Sequence, residues 1–279
     1  MSYALFDIGG TKTRVAISED LKSFGEVVTF KTPNEFEKGI EGIVKAVRTL
    51  STKPLRAIAG GIRGHLDDSK SGIVYDSVLT RWVDESISDA LRDEFQVRAY
   101  LENDAAMAGL GEAHFGAGKG FEILAYHTVS TGVGGVKIEN GVIDDYRNGF
   151  EPGHQVLDID HTILGEGIEP TLENLVSGSS VEERMGVKPY EIPQDDAIWD
   201  QLAFYLAHGL RNTILYWSPD AIVLGGSMIV GEPRIRLDDI IRHTNEVLGP
   251  SIECPLIKDA SLGDNGGLYG AMARLEMEV

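Results

Sequence analysis

The feature that most constrains this chain is a strand, a glycine turn and a second strand that together occur twice. Tyr3 to Asp7 is a short apolar run, Gly9-Gly10-Thr11 follows, and Thr13-Arg14-Val15-Ala16-Ile17 alternates with period two. About 120 residues later Glu122 to Ser130 reads as a strand that ends in Thr131-Gly132-Val133-Gly134-Gly135, with Val136-Lys137-Ile138 after it. Asn140-Gly141 then signals a hairpin into Val142 to Tyr146. A helix-bearing segment follows each copy, so the chain is expected to be an internally duplicated α/β fold with a cleft between its halves.

The remaining pattern fits this frame. Phe36, Ile40, Ile43, Val44, Val47 and Leu50 fall at helical spacing, with Asn34 as the expected cap. Arg56 to Gly61 and Gln96 to Glu102 read as buried strands, with a helix near Asp84 to Phe95 between them. Later come a long helix near Ile198 to Ser218, a strand from Ala221 to Leu224, the pair Gly225-Gly226, and a last helix from about Gly266 to Met277. The expected division is residues 1–115 and 116–265, with the terminal helix, about 266–279, packing back on the first domain.

Composition excludes several functions. There are 25 Lys and Arg against 44 Asp and Glu, a net charge of −19, which argues against nucleic acid and anionic membranes as partners. Cys254 is the single cysteine, so neither a disulfide framework nor a multi-cysteine metal site can form, and a reducing cytoplasm is expected. The start, Met1-Ser2-Tyr3-Ala4-Leu5-Phe6-Asp7, lacks the basic and long apolar regions of a signal peptide.

Asp7-Ile8-Gly9-Gly10-Thr11-Lys12 can be a plain hairpin turn or a phosphate cradle. In a cradle, backbone N–H groups approach an anion where no Cβ intervenes, and Thr11 and Lys12 add a hydroxyl and a positive charge. It is neither a Walker P-loop nor a dinucleotide fingerprint, because a strand follows the turn instead of a helix. Thr131-Gly132 carries the same ambiguity, and Leu224-Gly225-Gly226-Ser227 reads as a strand-to-helix turn or as a glycine site where a flat adenine slides against backbone. Asp104, between Glu102-Asn103 and the helix start Ala105-Ala106-Met107-Ala108, reads as an N-cap and equally as a carboxylate base. Taken singly, Glu151, His154 and Glu173 read as surface residues.

In order along the chain, six motifs resemble those of the ROK family of repressors, open reading frames and kinases. They are Asp7-Ile8-Gly9-Gly10-Thr11-Lys12, Glu102-Asn103-Asp104-Ala105, Ser130 to Gly135, Glu151-Pro152-Gly153-His154, Leu172-Glu173 with Ser177-Gly178, and Ile222 to Gly226. The resemblance implies a duplicated actin-like ATPase fold, related to ribonuclease H, that binds a hexose and ATP with Mg²⁺. It implies Asp104 as general base and Asn103, Glu151, His154 and Glu173 as holders of the other sugar hydroxyls. It places Asp7 at the Mg²⁺ shell, Gly9, Gly10, Thr11, Lys12, Thr131 and Gly132 at phosphates, and Gly225-Gly226 at adenosine. A homodimer is implied as well.

Departures from the family pattern matter. Leu164, Glu166 and Thr171 stand where many members carry zinc-binding cysteines, so no structural zinc is expected, and Asp158, Asp160 and His161 are left to hold that loop. Arg63 replaces a common Pro, Val78 a common Asn, and Ala106 a further Asn; with Arg81, these put the identity of the sugar in question. Arg63 and Arg81 read as solvated loop arginines or as contacts for an acidic or N-acylated sugar. The expected activity is a glucokinase-like phosphorylation of a hexose hydroxyl. The alternatives are an N-acetylhexosamine or fructose kinase, or a sugar-sensing regulator without catalysis, although the phosphate motif at Asp7 leaves no room before it for a DNA-binding domain.

Overall fold

A computed structural model describes residues 1–279. The chain divides into two compact units, one of Met1–Phe115, Arg147–Gly149 and Asp264–Val279, the other of Gly116–Tyr146 and Phe150–Gly263.

In the first unit β1 (Ser2–Ile8), β2 (Lys12–Ser18) and β3 (Val27–Lys31) form an antiparallel meander. After α1 (Phe36–Leu50), β4 (Leu55–Ile62) returns parallel to β1. The short pair β5 (His65–Leu66) and β6 (Ile73–Tyr75) precedes α2 (Ile87–Phe95), β7 (Arg98–Asn103) and α3 (Asp104–Phe115). The sheet order is β3-β2-β1-β4-β7. Because β1 and β4 are central and covered on both faces, their sequences are almost continuously apolar.

The second unit repeats the plan. β8 (Ile123–Val129), β9 (Val133–Glu139) and β10 (Val142–Ile143) form its meander. Then come α4 (Leu172–Val176), α5 (Gly178–Met185) and α6 (Ile198–Trp217). They precede β11 (Ala221–Gly225), α7 (Ser227–Val230), α8 (Leu237–Leu248) and β12 (Leu256–Asp259). The order β10-β9-β8-β11-β12 places two parallel strands beside the meander, as in the first sheet.

Each unit has its own core. In the first, the fully buried Trp82 packs edge-on against Phe36 and donates its indole N–H to Pro33 O at 3.1 Å. The second buries Val129, Leu172, Leu206, Leu210, Ile222 and Leu224 together. The terminal helix α9 (Gly266–Glu278) packs on α3 of the first unit. Its approach is so close that a Cβ on Gly270 would lie 1.7 Å from Met107 O.

The structure corrects several local expectations. Glu35, not Asn34, occupies the N-cap position of α1, and no side chain caps that helix. Gln96 is the left-handed C-cap of α2, so the following strand starts at Arg98 instead. The strand after the Asn140-Gly141 turn is only Val142–Ile143. Arg147–Gly149 and Asp264-Asn265, expected in the second domain, belong to the first unit. No helix is long and apolar enough to cross a membrane.

Candidate active site

In the first unit the candidate residues gather at the carboxyl ends of β1, β4 and β7. The Gly9-Gly10-Thr11 turn is closed by the Gly9 N–H donating to Lys12 O at 3.0 Å. Thr32 braces it from the end of β3: its N–H donates to Thr11 O at 3.0 Å and its hydroxyl to Gly9 O at 2.7 Å. Thr11 and Lys12 are exposed, and antiparallel register sets Lys31 opposite Lys12. The turn therefore carries two cations, the second of which sequence reasoning missed because it comes from a different strand.

Asp104 begins α3, but it is not the cap. Asn103 Oδ1 accepts the N–H groups of Ala105 at 3.0 Å and Ala106 at 3.2 Å, and its Nδ2 donates to Gly64 O at 3.3 Å. The N-cap expected at Asp104 thus lies one residue earlier, and the Asp104 carboxylate is not needed to end the helix. Its Oδ1 accepts the neighbouring Ala105 N–H, at 2.8 Å. Burial raises its pKa above the ordinary aspartate value, against the lowering effects of that N–H and of the nearby Arg63 guanidinium.

Asp7, at the end of β1, feels the same environment. Burial and the Asp104 charge raise its pKa to about 7, although Arg14 lowers it from 3.5 Å away. Arg14 is shared with Asp264, at 2.7 Å. The first residues of α9 come up to the Asp7 carboxylate, with no side chain at Gly267 to keep them away. Asp7, the less exposed of the two carboxylates that share Arg14, is a hard oxygen donor of the kind that takes a divalent cation through retained waters.

In the second unit the other candidates converge at the β8–β9 turn. Ser130 N–H donates to Gly132 O at 2.8 Å, and Ser130 O accepts the N–H of Gly178 at 2.7 Å, at the start of α5. The Ser130 and Ser227 hydroxyls lie 3.0 Å apart, and Gly226 sits against Val129. Thr131, Gly132, Gly225 and Gly226 are thus brought together, and Ser177-Gly178 and Ser227 join them.

Glu173, in the first turn of α4, accepts the Val133 N–H through Oε2 at 2.7 Å. One carboxylate oxygen therefore holds the glycine turn and the other is left for a ligand. Glu151 and His154 are exposed on a 3₁₀ turn, Pro152–His154, which lies on β9 so closely that a Cβ on Gly153 would meet Val133 O at 2.4 Å. That turn is tied to α4, because Leu172 N–H donates to Gln155 O at 2.9 Å.

The loop after this turn is organised by Asp158. Its buried carboxylate accepts the N–H groups of Thr162 at 3.0 Å, Ile163 at 3.1 Å and Leu164 at 2.8 Å. Burial opposes its ionisation, but these donors prevail and its pKa is lowered. Leu164 is packed in the core and Thr171 caps α4, accepting the Asn174 N–H at 3.4 Å. His161 Nδ1 lies 3.2 Å from Gly165 O. Asp158→Asn presents an amide to these donors, so it is expected to lower Tm at pH 7 by several degrees, with neither zinc nor a chelator changing the result. The gap from wild type should narrow as pH falls below the ordinary aspartate range, where the wild type loses the same charge. Thermal melts across pH, with elemental analysis for zinc, check both points.

A model of the ROK family matches residues 3–277. The chain belongs to the ROK family. It is 29% identical to a fructokinase of Lactococcus lactis subsp. cremoris, over 81% of this chain and 79% of that one. The crystal structure of a ROK hexokinase from Thermus thermophilus superposes with a TM-score of 0.85 at 28% identity, covering 100% of this chain and 99% of the other. A ROK family glucokinase from Streptomyces griseus, in complex with glucose and AMPPNP, matches at TM-score 0.82 and 24% identity over the full length of both. The α/β fold with its two like-ordered sheets is that of these ROK structures, the actin-like ATPase fold.

Proposed function

We propose that this ROK protein is an ATP-dependent hexose kinase in which Asp104 takes the proton of the acceptor hydroxyl. The observation that carries this reading is a half-buried carboxylate, Asp104, with a raised pKa, set in the same unit as a braced glycine turn and within electrostatic reach of a second carboxylate, Asp7. The acceptor oxygen bonds to the γ-phosphorus, the bond from phosphorus to the ADP oxygen breaks, and the hydroxyl proton passes to Asp104. Phosphoryl transfer asks chiefly for positioning and charge neutralisation. Backbone N–H groups at Gly10 and Gly132, with Thr11, Lys12 and Thr131, supply these at the phosphates, while the Gly9 N–H is engaged in closing the turn on Lys12 O, and Gly225-Gly226 leaves a flat backbone surface for adenosine. Asp7 would hold Mg²⁺ through water, and the ion would supply charge neutralisation at the phosphates. Asn103, Glu151, His154 and Glu173 hold the remaining hydroxyls of the sugar.

Glucose is the first acceptor to test, because the Glu151 to His154 motif and Glu173 are both present. Fructose is the second, favoured by the similarity to the Lactococcus lactis fructokinase. A coupled assay of ADP release over a panel of hexoses and N-acetylhexosamines tests the proposal. No sugar-dependent release from folded protein would leave a sugar-sensing regulator as the better reading.

Glu173 separates its two tasks in a pair of variants. Glu173→Gln keeps an oxygen for the Val133 N–H, so sugar KM alone should rise, by the about 1–3 kcal/mol of a stranded polar contact. Glu173→Ala removes both, and KM for ATP should rise with it. Equal effects of the two variants on ATP would mean that Glu173 does not hold the turn.

A further inference from the structure

Arg63 and Arg81 look alike in sequence but differ in the fold. Arg81 is a 69% exposed side chain lying 3.4 Å from Glu35, a solvated pair. Arg63 follows β4 directly, with its N–H donating to Ile8 O at 3.1 Å, so its backbone is fixed beside the first glycine turn. Its Nε donates to Asp76 Oδ2 at 2.7 Å, and the Asp76 side chain is only 3% exposed. Asp76 is fixed in turn: its Oδ1 accepts the N–H groups of Val78 at 2.6 Å and Leu79 at 2.5 Å.

The far end of the guanidinium is aimed by this anchor. Nη1 lies where it would be 2.8 Å from a Cβ on Gly10, so the absence of a side chain at Gly10 is what admits it. Asp104 is near enough for the Arg63 charge to stabilise its anion. A planar cation anchored through Nε, with Nη1 against a glycine turn and its charge felt at a carboxylate, presents the fork that binds phosphoryl oxygens in pairs.

Resting on the kinase reading above, we propose that Arg63 is a catalytic residue, its terminal nitrogens donating to the phosphoryl group as it passes from the Gly9-Gly10 turn to the hydroxyl at Asp104. Asp76 is its positioning residue. Arg63 stays protonated throughout: the electron pair of the broken bond leaves with the nucleoside diphosphate and the proton goes to Asp104. The guanidinium gains most contact where negative charge is shared among the phosphoryl oxygens, so it lowers the barrier more than it aids binding of sugar.

The test uses the full chain, with the wild type first assayed on the sugar panel. Arg63→Ala should lower kcat by about 10²–10³-fold with sugar KM nearly unchanged. Added guanidinium ion at millimolar concentration should restore several-fold activity to Arg63→Ala and none to wild type. Arg63→Lys keeps the charge but not the fork, and should fall between. Because Arg63→Ala strands the buried Asp76 carboxylate, Arg63→Ala with Asp76→Asn is assayed beside it, the amide oxygen still serving Val78 and Leu79. An active wild type with folded variants that keep kcat within threefold, or that lose sugar affinity instead, would overturn the role of Arg63 alone. The second of these results would assign Arg63 to recognition of the sugar. A wild type silent on every sugar would overturn the kinase reading and the proposal with it.

Discussion

Asp104→Asn is expected to lower kcat by about 10²–10⁴-fold while the protein stays folded and still binds sugar and ATP. An amide of the same size cannot take the hydroxyl proton, so the loss falls on the chemical step. Stability is protected for a reason the structure supplies: Asn103, not Asp104, caps α3. The charge also matters. Asp104 has a raised pKa in the folded protein, so the folded state holds its proton more tightly than the unfolded chain does, and stability declines as pH rises above the ordinary aspartate value of about 3.9. Asn avoids that decline, and Tm at pH 7 should equal or exceed that of wild type. In the wild type, kcat/KM should fall on the acid side with a midpoint above about 3.9, because the base must be ionised. Turnover, calorimetric sugar binding and thermal melts on one preparation decide the matter. A folded variant with more than about a tenth of wild-type kcat would falsify the base assignment, given that lower bound of about 10².

Gly226→Ala is expected to be the most damaging single methyl group in the second unit. Gly226 has φ +88° and ψ 159°, a region only glycine occupies easily, at a cost of about 1–3 kcal/mol for any other residue. The new Cβ would meet Val129 O at 2.3 Å and Val129 N at 2.7 Å, which are backbone atoms of the central strand and cannot turn aside. Overpacking adds about 1–3 kcal/mol more. Tm should fall by more than about 5 °C, and KM for ATP should rise in whatever fraction folds, since Val129 leads straight into the Ser130 to Gly132 turn. Gly225→Ala is the control. Its Cβ would meet the Tyr126 hydroxyl at 2.5 Å, the end of a side chain that can shift, and its effect should be smaller. Equal stability of Gly226→Ala and wild type would contradict this account of the turn.

Sequence alone determined the duplicated strand, turn and strand, the long helices, the terminal helix and the order of the six motifs. These are local patterns, set by periods of two and 3.6 residues and by glycines at turns, and each can be read within a short window. It also marked Asp104, Glu173 and the missing cysteines, because residue type and spacing carry that chemistry.

Tertiary structure decided what each marked side chain touches. Whether Asn103 or Asp104 caps α3 depends on which carbonyl oxygen points back along the helix, a rotamer question that composition does not answer. Arg63 and Arg81 were equivalent loop arginines until packing buried Asp76 beside one of them and left Glu35 exposed beside the other. Glu173 meets Val133 across 40 residues of chain, and its hold on the glycine turn exists only because α4 docks against β9. Asp158, passed over as one of several polar residues near a missing metal site, became the centre of its loop because burial left three N–H groups with the same acceptor. The physical reason is common to all of them. Backbone pattern is local, but desolvation and hydrogen-bond partnership are settled by neighbours that are distant along the chain, and those neighbours are chosen by packing.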